Sequence, residues 1–235
     1  MSVQIAKQKE NISPKNRIER GSSKLSEIFE RKKNISIWDR ELSSSVIKAS
    51  ESIINTNPKL QFSKALKVEE VEKKLIYEFG SNSDFLYLFR DISKVVNMFC
   101  DLFKVNNAWL RLDAIDGPMC PRFHVDNVKC RLVTTYLGPG TQWLPNNTLN
   151  RDNLGHGNHG ESDESSGLFL KNDDIHQLDA GHLALLKGET WPGNEGKGLV
   201  HRSPQKDSKY KRLYMTIDFV ELYLKIYNNR LNISI

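Results

Sequence analysis

Disulfide-forming patterns and long apolar runs are both missing from this sequence. Its 235 residues contain only three cysteines, Cys100, Cys120 and Cys130, and no CxxC pair. This usage argues against a disulfide scaffold and a zinc ribbon, and it indicates a reducing compartment. No apolar run reaches the roughly 20 residues of a membrane-spanning helix, and the first 16 residues lack the hydrophobic segment of a signal peptide. We therefore expect a cytoplasmic protein that does not enter a membrane.

A basic core is also missing, although the net charge of the chain is +5. Residues 1–33 hold nine of the 34 basic and four of the 29 acidic residues, which leaves 25 of each in the rest of the chain. A nucleic-acid-binding domain carries its own basic face, so we do not expect the core to bind nucleic acid. The polar tail is predicted to be a solubilising segment, and contact with RNA or an acidic partner is the alternative.

The periodicity of the apolar residues predicts three consecutive parts. Residues 1–22 are predicted to form a disordered basic tail, residues 23–105 a helical N-terminal part, and residues 106–235 a β-rich domain. This order of helices followed by strands predicts an α+β fold, namely a β-sandwich or barrel with helices packed outside. Helices are expected within residues 24–33, 36–54 (after a short extended piece), 69–80 and 84–105.

A long polar loop, residues 145–166, interrupts the β-rich domain. It contains His156, His159, Glu161 and Asp163, which have the ligand types of a weak metal site. Loops of this length are usually functional lids or flexible insertions. We interpret it as a solvated loop, and a second metal site is the alternative.

A stronger metal-ligand pattern lies in the segment CPRFHVDNVKC. Residues i and i+2 of a strand point to the same face, so His124 and Asp126 can present an imidazole nitrogen and a carboxylate oxygen side by side. A third ligand must come from elsewhere, and His201 in GLVHRSP is the best candidate. Two histidines and one carboxylate form a facial triad that leaves three metal positions open and typically holds non-haem Fe(II).

An arginine follows the distal histidine at the start of a predicted strand, RLYMTIDF. Alternation places Arg212 on one face together with Tyr214, Thr216 and Asp218. A buried arginine at this position can clamp a dicarboxylate through parallel hydrogen bonds. Tyr136, at the end of the strand that follows HVD, can donate a further hydrogen bond.

These motifs carry two resemblances to known families. The order HxD, distal His and then Arg resembles the Fe(II)/2-oxoglutarate-dependent dioxygenases, and HVDNVKCRLVTTYL is similar to the metal-binding strand of their prolyl-hydroxylase branch. The blocks CPRFHVD, LLKGETWPGN and GLVHRSP resemble a bacterial family of unknown function that is often considered in connection with zinc homeostasis. The second resemblance spans about residues 105–220.

The dioxygenase resemblance implies a double-stranded β-helix, a jelly-roll or cupin-like fold. It implies that His124, Asp126 and His201 hold iron, that 2-oxoglutarate chelates the metal, and that Arg212 and Tyr136 bind its distal carboxylate. The protein is then an oxygenase that hydroxylates an unknown small molecule or protein. One departure from the family is Tyr214, which stands where a small hydroxyl residue is usual.

Two alternatives use the same residues differently. The first is a non-catalytic metal-binding protein linked to zinc homeostasis, in which Cys120 or Cys130 adds a soft ligand that favours zinc. We interpret both cysteines as small buried residues instead. The second alternative is a metal-free, cupin-like binding module.

Overall fold

The computed structural model describes residue 21 and residues 23–117, 119–204 and 211–221. The predicted disordered tail, residues 1–22, lies outside this range except for residue 21. No helix in the described part of the chain is long and apolar enough to cross a membrane.

Three α-helices lie wholly within the described residues, all before residue 106. Helix α1 begins after Ser43, whose hydroxyl accepts a hydrogen bond from the backbone N–H of Val46. Helix α3 begins after Asn82, whose side chain caps the N–H of Asp84. Such caps satisfy N–H groups that have no partner within the helix. The helices are α1, Ser44–Thr56; α2, Val71–Phe79; and α3, Ser83–Phe103.

Nine β-strands in the described residues form two sheets in which all strand pairs are antiparallel. The large sheet has the order β1-β7-β4-β9-β3-β2, and the small sheet has the order β6-β5-β8. The strands are β1, Ile35–Trp38; β2, Gln61–Lys67; β3, Asn107–Ile115; β4, Cys130–Leu137; β5, Gln142–Leu144; β6, His176–Gln177; β7, Leu183–Lys187; β8, Val200–Arg202; and β9, Arg212–Asp218.

The chain passes repeatedly between the two sheets. After β4 of the large sheet it forms β5 and β6 of the small sheet, returns for β7, crosses again for β8 and ends in the large sheet with β9. Val133, Ala184 and Leu186 of the large sheet pack with Leu178 and Leu199 between the sheets. This arrangement is a double-stranded β-helix, and it confirms the predicted α+β class.

The large sheet has two different faces, which we call the outer and inner faces. The outer face contacts the helices: Leu132 and Met215 belong to the same buried cluster as Leu88 and Phe89 of α3. The inner face faces the small sheet. It carries the alternate residues of β4 and β9, which are Arg131, Val133, Thr135, Arg212, Tyr214, Thr216 and Asp218.

The predicted helical part, residues 23–105, also contains two strands, and only β1 corresponds to an expected extended piece. Strand β1 pairs with β7 and β2 pairs with β3, so both edges of the large sheet come from this part. Strand β2 has the sequence QFSKALK, in which Phe62 and Leu66 are buried and the lysines are exposed. Its two buried positions are too few for a clear period in the sequence. The helices expected in 36–54, 69–80 and 84–105 are confirmed as α1, α2 and α3.

Candidate metal centre

Two backbone segments bring the three proposed metal ligands together. His124 and His201 exchange backbone hydrogen bonds, N–H to C=O at 3.0 Å in both directions. His201 belongs to β8, but His124 forms only an isolated bridge and Asp126 lies in a loop. The prediction of a continuous strand through His124 and Asp126 is therefore wrong. The side chains of His124 and Asp126 still lie close together, because the bridge from His124 to His201 of β8 fixes the backbone at His124.

The ligand atoms of the triad lie within 4.8 Å of one another. The Nε2 atom of His201 is 3.4 Å from Oδ2 of Asp126, and Nε2 of His124 is 3.8 Å from Oδ1. Neighbouring ligands of an octahedral metal with bonds of ~2.1 Å lie about 3 Å apart. The two His–Asp distances are therefore within about 1 Å of this spacing, and the widest pair of the triad, at up to 4.8 Å, must contract by up to about 2 Å to hold one cation.

Both imidazoles are oriented by backbone carbonyl groups. Nδ1 of His124 lies 2.9 Å from the oxygen of Arg122, and Nδ1 of His201 lies 3.0 Å from the oxygen of Leu199. A carbonyl oxygen only accepts hydrogen bonds, so each Nδ1 carries the proton and each Nε2 lone pair faces Asp126. Burial and the neighbouring His201 lower the pKa of His124, which favours the neutral, metal-binding form.

The carboxylate of Asp126 is held by an arginine that the sequence analysis missed. Arg131 donates from Nη1 to Oδ2 of Asp126 at 2.7 Å and from Nε to Oδ1 of Asp218 at 2.8 Å. Burial alone raises the pKa of Asp126, but His201, Arg131 and His124 together hold it well below its usual range. Asp126 is therefore ionised, as a metal ligand must be.

A second arginine on the inner face, Arg212, has one long hydrogen bond and two donors without a partner. It is 4% exposed, and its Nη2 atom contacts the hydroxyl of Thr135 at 3.4 Å. Its Nε and Nη1 atoms are buried without a partner, and Tyr214 packs against the guanidinium at 4.9 Å. Burial lowers the pKa of Arg212, but an arginine keeps its charge in proteins. The unpaired donors fit the carboxylate of a bound ligand.

The structure directs the hydroxyl of Tyr136 to Asp91, so the role of Tyr136 in binding the co-substrate stays a prediction that this contact does not support. Thr135 points to the inner face, and the next residue, Tyr136, points to the outer face. Its hydroxyl donates to Oδ2 of Asp91 at 2.8 Å, and Asp91 also accepts two bonds from Arg40 at 2.9 Å each. Tyr136 is therefore part of the contact between the sheet and helix α3.

The cysteines do not contribute to the metal centre. In the described part of the chain, the only group of three or more possible metal ligands is His124, Asp126 and His201. Cys130 is buried in the outer-face cluster, and burial strongly raises the pKa of its thiol. It is a small buried residue, as predicted, whereas Cys120 is exposed. No described thiolate therefore supports a softer, zinc-selective site.

The loop at residues 145–166 is fixed to the metal centre by one buried carboxylate. Asp163 is 4% exposed and accepts hydrogen bonds from the N–H of Phe123 at 2.8 Å, from Arg122 at 2.9 Å and from Arg202 at 3.0 Å. These three residues adjoin His124 or His201. Arg202 therefore points away from His201, as adjacent residues of a strand do. His156, His159 and Glu161 of this loop do not belong to the group of possible metal ligands found among the described residues.

Comparison with known proteins identifies the family. A family model described as "Protein of unknown function (DUF1826)" matches residues 19–218, and the chain belongs to this family. No curated protein matches the chain.

Several solved structures are similar in backbone. The dioxygenase for auxin oxidation 1 from Arabidopsis thaliana, in complex with 2-oxoglutarate, is 11% identical, with 89% of this chain and 90% of that chain covered and a TM-score of 0.47. A prolyl-4-hydroxylase from Pseudomonas putida is 10% identical (84% and 92% covered, TM-score 0.43). A prolyl 4-hydroxylase from Phytophthora capsici is 11% identical (91% and 68% covered, TM-score 0.46). At this level of identity, the chemistry of the site depends on its own side chains.

Proposed function

We propose that this member of the DUF1826 family is an Fe(II)- and 2-oxoglutarate-dependent oxygenase that hydroxylates a small molecule or a protein. His124, Asp126 and His201 are its iron ligands, and Arg212 holds the distal carboxylate of 2-oxoglutarate. The observation that carries the proposal is a converged triad of two oriented imidazoles and one ionised carboxylate, in a fold whose inner face also buries an arginine with unpaired donors.

The donor set supports Fe(II) as the metal. Two imidazole nitrogens and one carboxylate oxygen leave three positions free on one side of an octahedral cation, and such triads are typical of non-haem Fe(II) oxygenases. When bound, iron and 2-oxoglutarate supply dioxygen reduction, in which one oxygen atom enters the substrate and the other enters succinate as CO2 is lost. The protein contributes the fixed ligands and an apolar surround that includes Val133, Ala184 and Leu186.

The state of Arg212 supports an anionic co-substrate. A buried guanidinium with unpaired N–H groups is costly, and a bound carboxylate removes that cost by accepting two parallel hydrogen bonds. Thr135 supports one side of the guanidinium, and Tyr214 covers another. Gly138 lies so close that an added Cβ would be 2.9 Å from Cγ of Arg212, so a larger residue there would displace the arginine.

The test is 2-oxoglutarate turnover by protein purified without oxygen and then supplied with Fe(II), 2-oxoglutarate and air. We expect uncoupled succinate release by the wild type and none above background by His124→Ala. Absence of both 2-oxoglutarate binding and turnover, together with tight stoichiometric zinc binding, would overturn the proposal and favour a zinc-binding protein.

The cysteines and the charge of the chain bear on the cellular location of the protein and on its class of substrate. We propose that the protein acts in the cytoplasm, and its three unpaired cysteines support a reducing environment. The balanced charge of residues 34–235 supports a substrate other than nucleic acid.

A further inference from the structure

We infer that Arg131 is a positioning residue for the metal centre, because it fixes the carboxylate of Asp126 in the orientation that faces the imidazoles of His124 and His201. The inference rests on the metal centre of the proposed function. It does not depend on 2-oxoglutarate as the co-substrate.

The contacts of Arg131 join a loop carboxylate to the large sheet. Its Nη1 atom is 2.7 Å from Oδ2 of Asp126, and its Nε atom is 2.8 Å from Oδ1 of Asp218. These distances are typical of strong, charge-assisted hydrogen bonds. The side chain of Arg131 is 18% exposed, and that of Asp218 is fully buried. The guanidinium therefore links a buried carboxylate of the sheet, Asp218, to the proposed metal ligand Asp126.

The sheet makes this support rigid. Arg131 lies on β4 and Asp218 lies on β9, two adjacent strands whose register is set by the pair Leu132 and Ile217. Asp126, in contrast, lies in a loop, where its backbone oxygen accepts a hydrogen bond from the N–H of Glu189 at 3.0 Å. That bond holds the backbone of Asp126, and Arg131 links its carboxylate to the ordered backbone of the sheet.

The contact also restricts the orientation of the Asp126 carboxylate. With Oδ2 held by Arg131, Oδ2 lies 3.4 Å from Nε2 of His201 and Oδ1 lies 3.8 Å from Nε2 of His124. Rotation of the carboxylate away from the two imidazoles would break the bond to Arg131, while each oxygen keeps a lone pair for a cation. Asp218 offsets the positive charge of Arg131, so the guanidinium orients the ligand with little added repulsion of the cation.

The experiment uses Co(II) as a spectroscopic probe in the full chain. Affinity and the ligand-field spectrum are measured for the wild type, Arg131→Gln, Arg131→Lys and the matched control Arg40→Gln. Arg40 is a comparably buried arginine paired with Asp91, and it lies on the outer face. Loss of a hydrogen bond that orients a metal ligand typically weakens metal binding about 10- to 100-fold.

We expect Arg131→Gln to bind Co(II) about 10- to 100-fold more weakly and with a changed spectrum. Arg131→Lys keeps the charge but cannot bridge both carboxylates, so its affinity should be intermediate. Arg40→Gln should lose thermal stability and keep the affinity and spectrum of the wild type.

Wild-type affinity and spectrum in Arg131→Gln would overturn the inference. If that variant does not fold, the same result in Arg131→Lys would overturn it. Loss of affinity to the same extent in Arg40→Gln would also overturn it, because the effect would then follow from general destabilisation. Failure of the wild type to bind Co(II), or equal binding by His124→Ala, would instead contradict the metal centre and with it the proposed function.

Discussion

Two buried arginines on opposite faces of the large sheet, Arg40 and Arg212, are in opposite states. On the outer face, Arg40 donates two hydrogen bonds to Asp91 and one to the oxygen of Gly181, and Tyr136 completes the network. On the inner face, Arg212 keeps two donors unpaired, and the hydroxyl of Thr216 is also buried without a partner. Buried polar groups are normally satisfied within the protein. The comparison therefore separates Arg40, whose charge is paired within the protein, from Arg212, whose charge is not paired within the described residues.

Removal of Arg40 should have the largest effect on folding. In Arg40→Met, Asp91 keeps the bond from Tyr136 but loses its buried countercharge, and breaking such a pair typically costs about 3–5 kcal/mol. Chemical denaturation of the metal-free protein measures the change in the free energy of unfolding. A change below about 1 kcal/mol would contradict the structural role that we assign to the outer network.

Removal of a metal ligand should abolish turnover with little effect on folding. His124→Ala removes one of three ligands, so iron-dependent succinate release should fall by more than the roughly 100-fold that loss of an outer contact can cost. The side chain is 34% exposed, and the metal-free protein should therefore unfold at nearly the wild-type temperature. Undiminished succinate release in this variant would show that the triad is not the iron site.

Removal of Arg212 should affect ligand binding and leave folding almost unchanged. Each hydrogen bond to a charged group contributes about 1.5–3 kcal/mol, so Arg212→Met should raise KM for 2-oxoglutarate at least about tenfold. The metal-free variant should be as stable as the wild type or more stable, because methionine replaces an unpaired buried charge. An unchanged KM for 2-oxoglutarate would contradict the ligand-binding role of Arg212. A loss of stability as large as that of Arg40→Met would show that Arg212 is instead a structural residue like Arg40.

The hydroxyl of Tyr136 should have a smaller effect on folding than Arg40. Tyr136→Phe removes one donor to the Asp91 carboxylate while the two bonds from Arg40 remain, so a destabilisation of about 1.5–3 kcal/mol is expected. KM for 2-oxoglutarate should stay at the wild-type value. A clear increase in KM would place Tyr136 in the co-substrate site after all.

Local periodicity explains which parts of the site could be predicted. Alternation along RLYMTIDF correctly placed Arg212, Tyr214, Thr216 and Asp218 on one face, because the side-chain period of a strand is a local property. The same rule separates Thr135 from Tyr136, but the sequence does not show which of them faces Arg212. The pairing of β4 with β9 makes that choice, and its register shifts between Thr135 and Leu137.

The contacts of the metal ligands were less accessible to sequence analysis. Arg131 follows Asp126 by five residues, and their contact requires residues 127–129 to turn back before β4 begins. The role of Asp163 was also hidden. It is the buried member of a polar loop, and its partners come from segments about 40 residues away in the chain.

Residue chemistry and the periodicity of strands and helices are local properties, so the candidate metal ligands, their order along the chain and the α+β class could be predicted from the sequence alone. The pairing of the buried charges could be read only from the tertiary structure. Arg40 finds Asp91 across 51 residues, whereas Arg212 has only Thr135, 77 residues away, as a side-chain hydrogen-bond partner among the described residues. Such pairing depends on which distant groups the packed sheets and helices bring within about 3 Å of each other. It matters because a buried group cannot form its hydrogen bonds with water instead.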